Sequence, residues 1–243
     1  WLVLWAFPRQ MTSPLRLGLS DVRSRRIALL YLLGACLTAL PALLGGVWLW
    51  LIWISVSLLM VSFAYLTGNA NIFQKQANGK LSVAATVLLL PYLVSVRLNM
   101  AYWLRGKAKT APVRNDVLIG SVLGISNHLP VVLDVCAEYP CRSYQGAYRA
   151  LPLLDMVTPS ENDLVQTALI LETLRQKHGK ALVCCALGYG RSAAVVLTWL
   201  LVYGGCKNLA QAKAELKQAR PQMVLSPATA QAVEAAANRL KQG

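Results

Sequence analysis

Cys185 and Arg191 are separated by five residues in the run Cys185-Ala186-Leu187-Gly188-Tyr189-Gly190-Arg191, with Ser192 next. These are the parts of a phosphate cradle. The preceding Ala181-Leu182-Val183-Cys184 reads as a short buried strand, and residues 193–202 read as an apolar helix. A glycine-containing turn between them lets successive backbone N–H groups point inward, and the helix N-terminus adds its positive dipole end. The same groups would favour the anion of a cysteine at the mouth of the turn, and the thiolate is the form that attacks. A guanidinium at Arg191 would fork onto two phosphate oxygens at once.

Cys185 is therefore the candidate nucleophile, forming a cysteinyl-phosphate that splits ester hydrolysis into two easier steps. Arg191 would clamp the phosphoryl oxygens as their charge grows. Ser192 would donate to the sulfur as it leaves. Ala186, Leu187, Gly188, Tyr189 and Gly190 would line the phosphate, with Gly188 and Gly190 free to take positive φ. Plainer readings exist for two of these residues. An isolated cysteine is most often a buried structural one, and serine suits a helix start in any case. Arginine does not: it is unfavourable at a helix's positive end unless an anion sits there.

This loop resembles the signature loop of the cysteine-dependent phosphatases, in particular the dual-specificity branch of the protein-tyrosine phosphatases. Val117-Leu118-Ile119-Gly120, residues 131–140 and Leu153-Leu154-Asp155 follow the order of segments in that branch, so the resemblance covers roughly residues 112–243. It implies a hydrolase of phosphate monoesters that needs no metal or other cofactor, and, with the apolar region described below, a bacterial-type membrane-anchored member. Asp155 lies 30 residues before Cys185, near the distance usual for the general acid of that branch. It precedes Thr158-Pro159-Ser160 and is expected on a loop over the cleft, where a carboxylic acid would protonate the leaving oxygen. Asp163 is a rival acid, but its place three residues after Ser160 is explained by a capping box.

Cys184 departs from the family pattern, which has histidine there to order the loop and tune the thiolate. The departure keeps a second reading open, a non-catalytic phosphate-binding or scaffold module. It also raises the idea of a reversible link between Cys184 and Cys185, although a buried strand-end cysteine is the simpler reading. The uncharged Ala186, Leu187 and Tyr189 are not what a loop made for highly charged inositol phosphates would carry. A phosphorylated protein or a phospholipid headgroup both fit as substrate.

The surrounding segments supply the elements that would position these residues. Residues 117–119, 131–135 and 148–151 read as short strands, the last stopped by Pro152. Ser160 caps a helix that ends at Gly179, Asn208 caps another that stops before Pro221, and Ser226-Pro227 starts a last one. Strands first, then strand and helix alternating, predict an α/β domain over residues 111–243, with a central sheet flanked by helices. Residues 107–113 read as a basic linker into it.

The first 110 residues follow another pattern. The chain of 243 residues has a net charge of +14 and is 56% apolar, high for a soluble protein. Residues 1–110 carry 11 Lys/Arg and 1 Asp/Glu, whereas residues 111–243 carry 13 and 9. No charged residue occurs in residues 27–74. With about 20 residues needed per crossing, residues 27–44 and 47–66 are read as a tight membrane hairpin turning at Gly45-Gly46. Trp48, Trp50 and Trp53 would form an interfacial belt near the turn.

Arg9, Arg16, Arg23, Arg25 and Arg26 precede the hairpin, so the positive-inside rule places that side, and the domain after it, in the cytoplasm. Residues 81–104, interrupted by Pro91 and Arg97, are expected as an interfacial helix, with a third span as the alternative. The apolar run is much longer than a signal peptide's core, while residues 1–10 could belong to an upstream span. Six cysteines and two histidines show no metal-ligand spacing. The positive charge gathers beside apolar segments without an aromatic–basic binding motif, which argues for a membrane-lipid partner and against nucleic acid.

Overall fold

The computed structural model describes residues 22–114, 116–141 and 143–242; residues 1–21, with Arg9 and Arg16 among them, lie outside these ranges. Helix α1 (Val22–Ala39) runs into a 3₁₀ turn, Leu40–Leu44, and a second 3₁₀ turn, Gly46–Leu49, leads into α2 (Trp50–Thr67). Gly45 and Gly46 take positive φ at the reversal, so the two helices return side by side as the glycine pair predicts. Small residues let them approach. Ala28, Ala35 and Ala64 are buried between them. Ser55 donates to the Ala35 carbonyl at 2.8 Å and Ser62 to the Ala28 carbonyl at 2.8 Å, while Ser24 donates to the Tyr65 carbonyl at 2.6 Å. The outer faces carry exposed Leu29, Leu30, Leu33, Leu37 and Phe63. In the most apolar windows of Val22–Leu44 and Gly46–Thr67 only 17% and 28% is buried, so neither helix is the core helix of a globular domain.

Residues 81–104 do not form one helix. They divide into α3 (Val83–Leu88) and α4 (Leu90–Trp103), broken at Leu89 just before Pro91. The 14 residues of α4 rise about 21 Å at about 1.5 Å each, short of a ~30 Å hydrocarbon core. Trp53 Nε1 donates to the Val87 carbonyl at 2.9 Å, pinning α3 to the hairpin. Met100 and Leu104 pack against the β-sheet that follows. Residues 81–104, read as an interfacial helix with a third span as the alternative, form two short helices, and the second of them covers the sheet.

That sheet has five strands: β1 (Thr110–Pro112), β2 (Val117–Ser121), β3 (Val131–Cys136), β4 (Ala147–Leu153) and β5 (Ala181–Cys185). Their order is β1-β2-β5-β3-β4. Only β1 is antiparallel to its neighbour. The strands read as continuous apolar runs because both faces are covered. Val117, Ile119, Val131, Leu133, Ala181 and Val183 meet α5 (Glu161–His178), α6 (Arg191–Val202), α7 (Leu209–Ala219) and α8 (Pro227–Gln242). Leu118, Val132, Leu182 and Cys184 face the α4 side.

Two strand expectations are corrected. β4 does not stop before Pro152 but runs through it to Leu153. The ladder shifts register there, so that Leu151 and Pro152 oppose a single residue of β3. A bulge on an edge strand tolerates the missing N–H. The linker read at 107–113 contributes the short edge strand β1, whose three residues pair with Leu118 to Gly120.

Candidate active site

Three parallel strands deliver the candidate residues at their C-terminal ends, where α/β sheets open a crevice for ligands. Central β5 ends at Cys185 and passes through residues 186–190 into α6, which opens with Arg191 and Ser192. β3 leads into Ala137-Glu138, and β4 into Leu154-Asp155. The site needs no distant loop to assemble it. It is the common edge of the sheet.

The loop is built around the sulfur. The Gly188 N–H points at Cys185 Sγ at 3.2 Å, and Ser192 Oγ lies 3.3 Å from the same atom. Carbonyls of the loop are tied outward instead. Ser121 Oγ donates to the Ala186 carbonyl and Arg220 to the Leu187 carbonyl at 2.8 Å. The Gly188 N–H is the loop donor seen on the side of the sulfur, as an anion cradle requires. Gly188 takes φ +76°, and a Cβ there would strike the Gly120 backbone at 2.5 Å, so only glycine fits. Gly190 differs from expectation: its φ is −113°, and a Cβ would meet nothing nearer than the Val224 carbonyl at 3.9 Å.

Arg191 is 3% exposed. Its guanidinium meets Glu138 through two hydrogen bonds of 2.7 and 2.6 Å, and Nη1 also donates to the Leu153 carbonyl at 2.8 Å. Burial alone would push the Glu138 carboxyl up, but the charge and hydrogen bonds of Arg191 outweigh it and hold the group below its ordinary value. Burial works against the guanidinium as well, and the Glu138 charge more than offsets it, leaving Arg191 well above its ordinary value. Both partners are therefore ionised, a fixed bidentate pair. Nε lies 3.2 Å from Asp155 Oδ1, yet off the direction a hydrogen bond needs, and it stays a buried nitrogen without a hydrogen-bond partner. The guanidinium is thus held on one side by Glu138 and faces the Asp155 carboxylate with its Nε.

Asp155 sits as expected on the loop after β4, and its side chain is 49% exposed, open to solvent beside Arg191. Asp163 is accounted for by the capping box with Ser160. The Tyr189 side chain is not brought into the cradle. Its ring packs 5.0 Å from the Arg220 guanidinium, and its hydroxyl donates to the Trp103 carbonyl at 3.3 Å. Cys184 is fully buried on the α4 face, whereas Cys185 belongs to the cluster on the helical face. Adjacent strand residues point apart, so the two thiols are not placed for a mutual link, and both are free.

The arrangement can hold a tetrahedral oxyanion over a sulfur nucleophile, with a carboxyl at the rim. Residues 118–237 match the family model described as dual specificity phosphatase, catalytic domain. The match supports the cysteine-dependent phosphatase family for this segment, and the mixed sheet flanked by helices is the fold of that family. Comparison with curated proteins gives no match. Among solved structures, human DUSP28 is 23% identical with a TM-score of 0.50, covering 55% of this chain and 96% of that one. A mouse dual specificity phosphatase solved with zinc tungstate is 22% identical with a TM-score of 0.50, covering 55% and 89%. At these identities the likeness is one of fold.

Sequence reasoning missed two residues around the phosphatase loop. Glu138 lies 53 residues before its partner Arg191; its one local signal is an acidic residue directly after a strand. Arg220 is 2% exposed and braces the loop through the Leu187 and Ala108 carbonyls. Nothing in its helix-end sequence distinguishes it from a solvated arginine.

Proposed function

We propose that the protein is a membrane-anchored phosphatase that hydrolyses phosphate monoesters through a cysteinyl-phosphate, with a lipid phosphate as its substrate. The reading of the chemistry rests on Cys185 Sγ within reach of the Gly188 N–H and the Ser192 hydroxyl, at the foot of a pre-held Arg191. In the first step the sulfur attacks phosphorus and the ester oxygen departs, taking a proton from the Asp155 carboxyl. Arg191 and the loop N–H groups stabilise the charge on the equatorial oxygens. In the second step water attacks phosphorus, Asp155 takes its proton, and the sulfur leaves as thiolate with the Ser192 hydroxyl donating to it.

One observation carries the membrane and lipid part. The base of the α1–α2 hairpin and the rim of the site share one apolar cluster. Ala28, Val61, Ala64 and Tyr65 of the hairpin pack with Ala137 and Leu154, the residues beside Glu138 and Asp155. A bilayer around the hairpin would therefore lie next to the opening of the site. The exposed apolar flanks of both helices support burial in lipid, and serine-to-carbonyl bonds between small residues are how helices pack there. The arginines at positions 23, 25 and 26 stand at the base, on the side that positive charge favours in the cytoplasm.

The test uses the full chain in mixed vesicles. Phosphatidylglycerol phosphate should be turned over faster than a phosphotyrosine peptide, and Cys185→Ser should abolish both activities. Faster turnover of the peptide would reject the lipid reading. Retained turnover in the serine variant would remove Cys185 as nucleophile. Binding of phosphate esters by the wild type without turnover would favour the scaffold reading.

A further inference from the structure

Lys75 lies on the connector between α2 and α3, outside the segment that matches the phosphatase family. Its side chain is nevertheless buried in the phosphatase domain, 0% exposed like that of its partner Asp134 on β3. Nζ is 2.7 Å from Asp134 Oδ2, 2.6 Å from the Cys136 carbonyl and 2.9 Å from the Tyr139 carbonyl. An ammonium has three N–H donors, and each has an acceptor.

The two carbonyls flank Glu138. Pairing of β3 with β4 shifts register between Asp134 and Cys136, and β3 ends at Cys136, so residues 137–139 leave the sheet without ladder partners. Asp134 Oδ1 takes the Cys136 N–H at 2.8 Å, and the Tyr148 hydroxyl donates to Oδ2 at 2.5 Å. The turn bearing the carboxylate that holds Arg191 is thus gripped from behind by one ammonium.

The connector is itself fixed. Lys75 bridges to Leu81, Gln76 N–H bonds the Lys80 carbonyl at 2.8 Å, and the Cys141 N–H bonds the Gly79 carbonyl at 2.8 Å. Two residues before Lys75, Phe73 is buried in the hairpin cluster.

We infer that Lys75 is a positioning residue for the phosphatase reaction: it fixes the turn of Glu138, and through it the guanidinium of Arg191, from a segment continuous with the hairpin. The inference rests on the phosphatase reading above. It makes catalytic competence depend on a residue beyond the family's own domain.

The experiment measures kcat and KM for p-nitrophenyl phosphate, vanadate inhibition and thermal melting on the full chain in detergent. Lys75→Met alone would strand the Asp134 carboxylate, so the informative variant is Lys75→Met with Asp134→Asn, a neutral pair of similar volume. A small misplacement of a transition-state contact is worth about tenfold to a hundredfold in rate. Expected are a kcat lower by about tenfold or more, a similar weakening of vanadate, little change in KM, and native melting. A kcat within about twofold of wild type would overturn the inference.

Should the double variant fail to fold, Lys75→Arg replaces it. This variant keeps the charge beside Asp134 but cannot set one nitrogen on both carbonyls. The same loss of kcat at native melting is expected, and wild-type kcat would overturn the inference. An inactive wild type would instead sink the phosphatase reading itself, so the two failures are distinct.

Discussion

Arg191 is charged, buried and gripped by Glu138, so its guanidinium is held in one orientation by the protein itself. That is electrostatic preorganisation, commonly the largest catalytic term. Asp155 is the opposite kind of group, half-exposed on a loop and 3.2 Å from Arg191 Nε. Its proposed work is proton transfer, which matters most where the leaving oxygen is basic. Asp155→Asn should therefore slow alkyl phosphates by about 10²–10⁴-fold and p-nitrophenyl phosphate far less. Steady-state rates across a leaving-group series check this, and equal losses would transfer the acid role elsewhere. Cys184, where the family has histidine, is buried under α4 and pushed well above the ordinary thiol range by burial. It packs and does not titrate near neutrality. Ser121 and Arg220 tie down the Ala186 and Leu187 carbonyls of the loop.

At the scale of elements, α6 is buried from Arg191 to Leu201, so its position in the core decides where Arg191 points. Glu172 ties it to α5. The carboxylate accepts from Arg175 at 2.8 and 2.9 Å, from Gln176 at 2.7 Å and from Trp199 Nε1 of α6 at 2.8 Å. The Arg175 hydrogen bonds, set against burial, bring its carboxyl down to about 2. A folded value below the unfolded one, about 4.3, means that the stabilisation is fully present above that value. It is lost as pH falls toward about 2. Glu172→Gln should cost about 1–3 kcal/mol at neutral pH and flatten the acid side of the stability curve between those values. Denaturant melts at pH 7 and pH 3 test it, and an unchanged pH dependence would rule it out.

At the scale of the whole molecule, the hairpin and the catalytic domain share side chains across their junction. Phe73, Tyr92 and Tyr65 pack with Ala137 and Leu154, Met100 of α4 and Leu104 just after it cover the second face of the sheet, and Lys75 enters the domain beside β3. Rotation of the sheet domain against the hairpin would break these contacts, so under the proposed anchoring the site should keep one orientation toward a bilayer. The full chain should co-float with phospholipid vesicles and stay bound in 1 M salt, where the screening length falls to about 3 Å. Release by salt would mean surface attraction alone and would reject insertion of α1 and α2.

The signal from Cys185 to Ser192 was readable because the cradle is a local object: strand end, turn and helix start are contiguous, and chain geometry alone brings their donors together. The same holds for the Ser160–Asp163 cap and for the reversal at Gly45-Gly46. Pairings across the chain had no such signature. Glu138 reaches Arg191 over 53 residues and Lys75 reaches Asp134 over 59; the order of strands makes the first pair neighbours, and the packing of the α2–α3 connector beside β3 the second. Residues 81–104 show the same limit. Their apolarity suits lipid and a protein face equally, and only the folded chain brings Met100 against the sheet. Local backbone chemistry is written residue by residue, while burial and long-range charge pairing exist only once the sheet has closed.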